Sequence, residues 1–484
     1  MGAQAVYIHP LPAPSGRGTG PGAAYPVIPV GLVGHVNLLR EAGVHVQGVN
    51  LGVERMLDPD FQLSAWLRQR AEPALVLVDM HWYEHVWGAL VVAETVRAAW
   101  PHTRIVLGGL SATHFYAAVL ERCAAVDAVV CGPAEDAVLQ LAHQAVGGTW
   151  APLDVANVAS RDGLGVVCRS EQRWLTPPDL LDRLDSVDLT WLEHAAAYRR
   201  MLHSRPRRVN DRNAQGQWIL SGRGCAYACG YCGGGRHAHR VLSGLTRVAR
   251  RDPVRLAADV NRLTRLGVEQ VAPSLDPDMH GRTHRTAFFD GLEGLPGLYV
   301  ESYQLPSDDL LVRLAGATHL DHTEVALTPL SGNTAVRRLH GKRYDNVQLV
   351  DTVRRTAELG VAVFAFFSLN LPGEDEQTVQ ETVALVRRLL EVAPADGFRA
   401  ISICHTIDPL SPMSESPGAF GVDWVGLRTL DDYVSYAQSS RPFTFAPGER
   451  GFTLKTPRNL PAMVAAWDAL AAEHPGRVYP VPRV

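Results

Sequence analysis

Three cysteines carry the strongest chemical signal in the chain. The segment reads Ser221-Gly222-Arg223-Gly224-Cys225-Ala226-Tyr227-Ala228-Cys229-Gly230-Tyr231-Cys232-Gly233-Gly234-Gly235-Arg236. Its spacing, Cys-x3-Cys-x2-Cys, crowds three thiols into one loop. Thiolates hold iron–sulfur clusters, and a cubane [4Fe–4S] cluster normally takes four of them. Three protein ligands leave one iron with an open position, as catalytic metals keep one. The loop glycines are expected to let backbone approach the inorganic sulfides. Zinc is the alternative occupant. Structural zinc wants four ligands, usually as two pairs. No second cysteine pair exists, although His237 and His239 would complete a set. The total of seven cysteines is odd, which argues against a disulfide framework. Cys123, Cys131 and Cys168 read as buried small apolar residues, with Cys404 the fourth of the scattered set.

A second group of polar residues falls at or just past expected strand ends: Asp276, Asp278, His280, Glu301, Tyr303, Gln304, Glu324, Cys404 and His405. Carboxylates in that number suit a cationic, hydroxyl-rich small molecule. They also suit acid and base work in expelling hydroxide. Asp276, Glu301 and His405 are the chosen catalytic or substrate-contacting candidates.

The elements that must position these residues follow from hydrophobic periodicity. Over about 1–150, apolar runs at 5–8, 44–49, 74–79, 104–107 and 128–130 alternate with amphipathic helices at 30–42, 63–72, 88–100, 115–122 and 135–145. A Gly/Pro-rich loop over 12–26 follows the first run. Such repeats predict a doubly wound parallel sheet, with ligands beyond the carboxyl ends of its strands. Residues 151–215, with Pro177-Pro178 and the polar stretch 205–213, read as a linker. A second series has strands at 217–220, 269–272, 298–303, 322–327, 361–369 and 399–404. Helices at 253–266, 307–314, 333–339, 346–359 and 378–392 separate them. Six such repeats predict a full or partial parallel barrel over 216–430. Residues 431–484 read as a small extension with a helix at 460–472 and a loose Pro-rich end.

With its preceding strand and following repeats, the cysteine loop resembles that of the radical S-adenosylmethionine (SAM) superfamily over about 215–430. The resemblance implies a partial (β/α)6 barrel. It implies a [4Fe–4S] cluster on Cys225, Cys229 and Cys232, with SAM chelating the open iron. It also implies reductive cleavage of SAM to a 5′-deoxyadenosyl radical that abstracts hydrogen. In that family Tyr231 would lie against the adenine. Leu330-Ser331-Gly332-Asn333 with Arg337 resembles the stretch that binds the SAM carboxylate. Asn370-Leu371-Pro372-Gly373-Glu374 resembles the family's Gly-Leu-Pro-Gly-Glu, with Asn370 in place of the first glycine. Where the family has Gly-Gly-Glu for the SAM amino group, this chain has Ser274-Leu275-Asp276-Pro277-Asp278. Tyr231, Ser331, Arg337 and Asn370 are thus the implied cofactor contacts. The resemblance further implies an electron donor of the flavodoxin or ferredoxin type.

A doubly wound sheet before such a barrel is similar to the cobalamin-binding-domain radical SAM enzymes. The matching residues are Gly108-Gly109-Leu110-Ser111-Ala112-Thr113, Cys131-Gly132-Pro133-Ala134-Glu135 and Asp79-Met80-His81-Trp82-Tyr83-Glu84-His85. The family's Asp-x-His-x-x-Gly signature is missing, because Glu84 stands where its glycine belongs. Either cobalamin binds without a histidine ligand, or the domain does not bind it. In the second case His81, Trp82 and Tyr83 line an interface.

Net charge is −4, so no strong field draws nucleic acid or anionic membrane. No apolar run of about 18 residues exists, and Met1-Gly2-Ala3-Gln4 does not open a secretory signal. The expected setting is cytoplasmic, with a small-molecule substrate. Size and the missing histidine signature resemble the radical SAM diol-dehydratases of aminoglycoside (apramycin-type) biosynthesis. That resemblance implies radical dehydration of an aminosugar. Cobalamin-dependent C-methylation is the alternative, and an iron–sulfur sensor or electron carrier is a third reading.

Overall fold

The structure is a computed structural model that describes residues 2–12, 26–177, 179–207, 209, 211–439 and 451–482. Most of the expected Gly/Pro loop, together with Pro178, Arg208 and Asn210, lies outside the described residues. The chain forms two compact units. The first takes residues within 1–201, 238–246 and 427–442, and the second takes the remainder.

Unit 1 is built on strands β1 (Ala5–His9), β2 (Val46–Asn50), β3 (Leu75–Asp79), β4 (Arg104–Gly108), β5 (Ala128–Val130), β6 (Val158–Arg161) and β7 (Val167–Arg169). They lie in the order β2-β1-β3-β4-β5-β6-β7. The first five run parallel. Every residue of β1 and β3 is buried, as expected for strands covered by helices on both faces. The strand order reverses beside β1, which marks a switch point of the flavodoxin-like kind. Three sequence expectations change here. The supposed linker contributes β6 and β7, which extend the sheet antiparallel. Cys168, expected to be buried, is half-exposed on the edge strand β7, whereas Cys123 and Cys131 are buried. Helix Leu430–Ser439, expected in a carboxyl-terminal extension, also belongs here. Leu427, Leu430, Tyr433 and Val434 complete the core around Val86, Leu90 and Phe115, and the Tyr433 ring lies 5.5 Å from Tyr83 and 5.6 Å from Phe115.

Unit 2 begins with β8 (Gly216–Ile219) and a short ribbon of β9 (Gly222–Arg223) with β10 (Ala249–Arg250). It continues through β11 (Gln270–Pro273), β12 (Gly297–Ser302), β13 (Glu324–Leu330), β14 (Ala362–Ser368) and β15 (Phe398–Ile403). A second ribbon of β16 (Val422–Val425) with β17 (Phe452–Leu454) precedes β18 (Val478–Tyr479). The main sheet runs β18-β15-β14-β13-β12-β11-β8 and is parallel throughout. The six expected strands are all present. The seventh, β18, comes from the end that read as loose. It is short, and two residues carry no periodicity. Trp467, fully buried on helix Leu460–Glu473, ties that end down by donating to Tyr479 O at 2.9 Å.

The helices follow from local chemistry. Helix Pro253–Arg265 buries Leu256, Val260 and Leu263 at helical spacing. Pro253 opens it, and the Asp252 side chain accepts from the Val254 and Arg255 amides. Helix Glu376–Val392 starts with a capping box from Asp375 and Thr378. With the helices so anchored, the loops after β8, β11, β12, β13, β14 and β15 gather at the carboxyl ends of the strands. Among the described residues, no helix is long and apolar enough to cross a membrane.

Candidate functional site

The cysteine loop leaves β8 just past Ser221. Cys225, Cys229 and Cys232 are free thiols, each half-buried. The Tyr227 amide points at Cys225 Sγ at 3.4 Å, and the Gly234 amide at Cys232 Sγ at 3.3 Å. Burial raises the Cys225 and Cys232 thiols, and these amide donors oppose it by favouring the thiolate that a cluster needs. Among the described residues, no group of three or more His, Cys, Asp and Glu side chains converges on a single ion position. Three soft donors spread along a turn fit a multi-iron cluster. The glycines act differently from expectation. A Cβ at Gly233 would meet Pro409 O at 2.4 Å, and one at Gly230 would meet the Phe420 ring at 2.7 Å and His340 Nδ1 at 2.8 Å. These two positions are small so that protein can pack behind the loop.

One wall is aromatic. The Tyr231 ring lies 4.5 Å from His405 and 6.5 Å from His340, and His340 stacks on Phe420 at 5.8 Å. Asn370 uses both ends of its amide on His405: Nδ2 donates to its carbonyl and Oδ1 accepts from its amide, both at 2.6 Å. Asn370 therefore holds His405 in place. Burial drives the His405 imidazole down to about 3, with help from His340 and Lys342. The ring is neutral at working pH and can exchange hydrogen bonds without carrying charge.

The second wall follows β13. Leu330 takes a left-handed φ of 69°, which for a leucine costs roughly 1–3 kcal/mol and swings the chain into Ser331. Arg337 is fully buried and secures that bend. Its guanidinium donates to Pro329 O at 3.3 Å, Tyr344 O at 3.1 Å, Ser331 O at 2.7 Å and Asn346 Oδ1 at 2.5 Å. Four of its five N–H groups are thus taken. The expected carboxylate clamp is instead a brace for the Ser331 loop. The loop after β14 is braced from the carboxyl-terminal segment of the same unit. Arg458 donates to Leu371 O at 2.8 Å, Glu374 O at 3.0 Å and Asn370 O at 2.6 Å. Burial raises the Glu374 carboxyl to about 8, opposed by Arg458. Arg458→Ala removes three charge-assisted bonds to this loop, each worth roughly 1.5–3 kcal/mol. It is expected to weaken SAM binding about tenfold by calorimetry while leaving cluster absorbance in place.

The third wall gathers charge. Asp276 accepts from the Asp278 and Tyr303 amides, both at 2.9 Å, yet burial lifts it to about 6. Glu301 on β12 is raised to about 7, first by burial and then by Asp276, with Lys342 opposing. Its unfolded value is near 4.5. Between about pH 4.5 and 7 the folded chain therefore holds more protons than the unfolded one, and this group's contribution to stability falls as pH rises through that window. Glu301→Gln abolishes the titration. The variant is expected to gain about 3 kcal/mol on the wild type between pH 4.5 and 7, at about 1.4 kcal/mol per pKa unit, by denaturant unfolding at both ends of the window.

Other expected site residues have structural work. Glu324 is the first residue of β13, at the opposite end from the loops. It is fully buried, pairs with Arg399 at 2.5 Å and bonds the Ser204 hydroxyl. Asp278 pairs with Arg285 at 2.5 Å and takes the Ser307 amide at 2.7 Å. His280 packs its ring 4.6 Å from His284. Gln304 bridges Gly341 O at 2.9 Å and the Arg343 amide at 3.0 Å. Cys404 is buried. Three residues now join the site that sequence reasoning missed: Lys342, Asp408 and Arg458. Asp408 accepts the Gly233 amide at 2.9 Å, and burial lifts it to about 7. A lone Lys, Asp or Arg in a polar loop reads as solvated, so no sequence signal marked them.

In unit 1 the strand ends are self-packed. Gly109, at φ 117°, leaves room for the 80–81 backbone; a Cβ there would lie 2.5 Å from His81 Cα. The Ser111 and Ala112 amides donate to His81 O and Met80 O, both at 3.0 Å. His9 Nδ1 lies 2.9 Å from Asp79 Oδ1, which also accepts from Tyr7 at 2.7 Å, all buried. His81 and Trp82 stay half-exposed.

Residues 21–142 match the B12 binding domain family, and residues 219–386 match the radical SAM superfamily. The chain is a radical SAM enzyme with a B12-binding-type domain ahead of the barrel. A radical SAM domain takes a [4Fe–4S] cluster and SAM, and the three free thiols lie within the residues that match it. No curated protein matches the chain. Among solved structures it is similar to the radical SAM methyltransferase TsrM from Kitasatospora setae with cobalamin and a [4Fe–4S] cluster bound. The TM-score is 0.67 at 16% identity, covering 100% of this chain and 91% of that one. It is also similar to OxsB, a cobalamin-dependent SAM radical enzyme with aqua-cobalamin bound, at TM-score 0.57 and 11% identity, covering 86% of this chain and 55% of that one. At such identities the likeness concerns the fold.

Proposed function

We propose that the protein uses SAM and cobalamin together to methylate a carbon atom of a small polar molecule. The observation that supports this most is the pairing, in one chain, of a B12-binding-type domain with a three-thiol radical SAM barrel. When bound, these groups supply a reducing electron, a 5′-deoxyadenosyl radical and a methyl group. The protein's own residues do the rest. Cys225, Cys229 and Cys232 hold the cluster, reduced by a flavodoxin- or ferredoxin-type donor. Tyr231 offers a ring face to the adenine, and Ser331 borders the SAM site. Arg337 and Asn370 position the loops. Asp276, Glu301 and neutral His405 contact substrate amines and hydroxyls. His81 and Trp82 face the corrinoid.

A second reading has its own support. Burial raises Asp276 to about 6 and Glu301 to about 7, so Glu301 is about half protonated at neutral pH. That arrangement suits protonation of a departing hydroxyl, as in radical dehydration of an aminosugar. Loss of Asp278 and Glu324 to structural pairs leaves fewer carboxylates for such a substrate than the sequence promised.

One experiment separates them. Anaerobically loaded protein is titrated with hydroxocobalamin and followed by absorption. It is then incubated with methyl-labelled SAM, reductant and small polar acceptors, including aminosugars. Corrinoid uptake with label in the product supports methylation. No uptake, with an unlabelled product one oxygen poorer, supports dehydration. Intact SAM sinks both.

A further inference from the structure

Lys342 is 1% exposed, and lysine is almost never buried so fully without a charged partner. Its ammonium donates to Tyr303 O at 2.7 Å and Thr328 Oγ1 at 2.5 Å. Both acceptors are neutral. Among the described residues no carboxylate lies within ion-pair distance of it. A buried cation with neutral partners requires a negative charge from elsewhere.

The fold shows where that charge would be. The preceding residues pack directly on the cysteine loop. Gly341, at φ 85°, has its missing Cβ 3.1 Å from Ala228 O and 3.4 Å from Cys229 Cα. His340 fills the space above Gly230. On the far side Tyr303, whose carbonyl anchors the ammonium, sets its ring 6.1 Å from Tyr227 of the same loop. Lys342 is therefore held between the cysteine loop and the Asp276–Tyr303 wall. Burial pulls its pKa down, and the groups that pull it back up are led by Cys229 and Cys232, then Asp276 and Cys225.

We propose that the Lys342 ammonium is the fixed countercharge of a cluster held by Cys225, Cys229 and Cys232, and that it raises the cluster's reduction potential. The inference rests on the reading that this loop carries a [4Fe–4S] cluster. One-electron reduction adds a negative charge to the cluster and moves no proton. A nearby positive charge, poorly screened because it is buried, stabilises the reduced state more than the oxidised one. Lys342 acts through the cluster and is a positioning residue.

The test is a redox titration of the reconstituted protein without SAM, read by the electron paramagnetic resonance signal of the reduced cluster. Lys342→Met is expected to shift the one-electron equilibrium toward the oxidised form about tenfold, equal to about 59 mV. Lys342→Arg, which keeps the charge, is expected to retain the wild-type potential. An unchanged potential in Lys342→Met overturns the proposal, as does an equal fall in Lys342→Arg. Should Lys342→Met load no cluster, Lys342→Arg decides: loading at the wild-type potential supports the countercharge, and failure to load overturns it. If the wild type itself takes up no cluster, the cluster reading falls, and this inference with it.

Discussion

Alanine in place of any one of Cys225, Cys229 or Cys232 is expected to cut SAM cleavage by more than about a hundredfold. Even outer-shell partners of metal ligands cost roughly 10–100-fold when removed, and these are the ligands themselves. Iron and sulfide content per chain should fall in parallel, and the brown cluster absorbance with it. Fold should survive. The three thiols are half-buried loop groups that fill no core, so the far-ultraviolet circular dichroism and thermal midpoint of the metal-free variants should match those of the metal-free wild type. A variant that keeps both its iron and its SAM cleavage would remove that cysteine from the cluster. A variant that cleaves normally while binding zinc would end the radical reading.

Glu324→Ala is expected to destabilise the chain by about 3–5 kcal/mol, the cost of leaving one member of a buried ion pair alone. Glu324 is wholly buried, and Arg399 spans its strand neighbour to reach it at 2.5 Å. Arg399 also lies over the Phe364 ring at 4.7 Å, so it cannot swing into water without uncovering that ring. Replacing both partners by apolar residues of similar volume, Glu324→Leu with Arg399→Met, should recover most of the loss. Denaturant melts measure it. Because the pair sits at the amino end of β13, the folded fraction of Glu324→Ala should still cleave SAM at the wild-type rate. A stable variant with lost cleavage would return Glu324 to the pocket where the sequence had placed it.

Glu324 illustrates why strand-end arguments are fragile. The sequence pattern began its strand two residues early and ended it at 327, which made residue 324 interior to a short strand near the loops. The strand instead runs to Leu330. Extending a strand's carboxyl end by three residues puts the loops about 10 Å further from a carboxylate at its amino end. Asp278 failed for another reason: its partner, Arg285, lies one turn into the next helix, and pairings across a turn leave no period to read. β6 and β7 were missed because 152–169 carries only two short strands, of four and three residues, without clear alternation.

The chemistry of the cysteine loop was legible from the amino-acid order because it is local. Three thiols within eight residues must share one site wherever the chain goes, and alternating apolar runs and amphipathic helices leave few ways to bury their faces besides two parallel sheets. What surrounds those thiols was decided only by tertiary structure. Lys342, Asp408 and Arg458 come from segments up to some two hundred residues from the loop in sequence. Each reads as a solvated charge until strands β8 to β15 align and their loops converge. Burial then removes the water, and the charge of each side chain becomes a property of its neighbours.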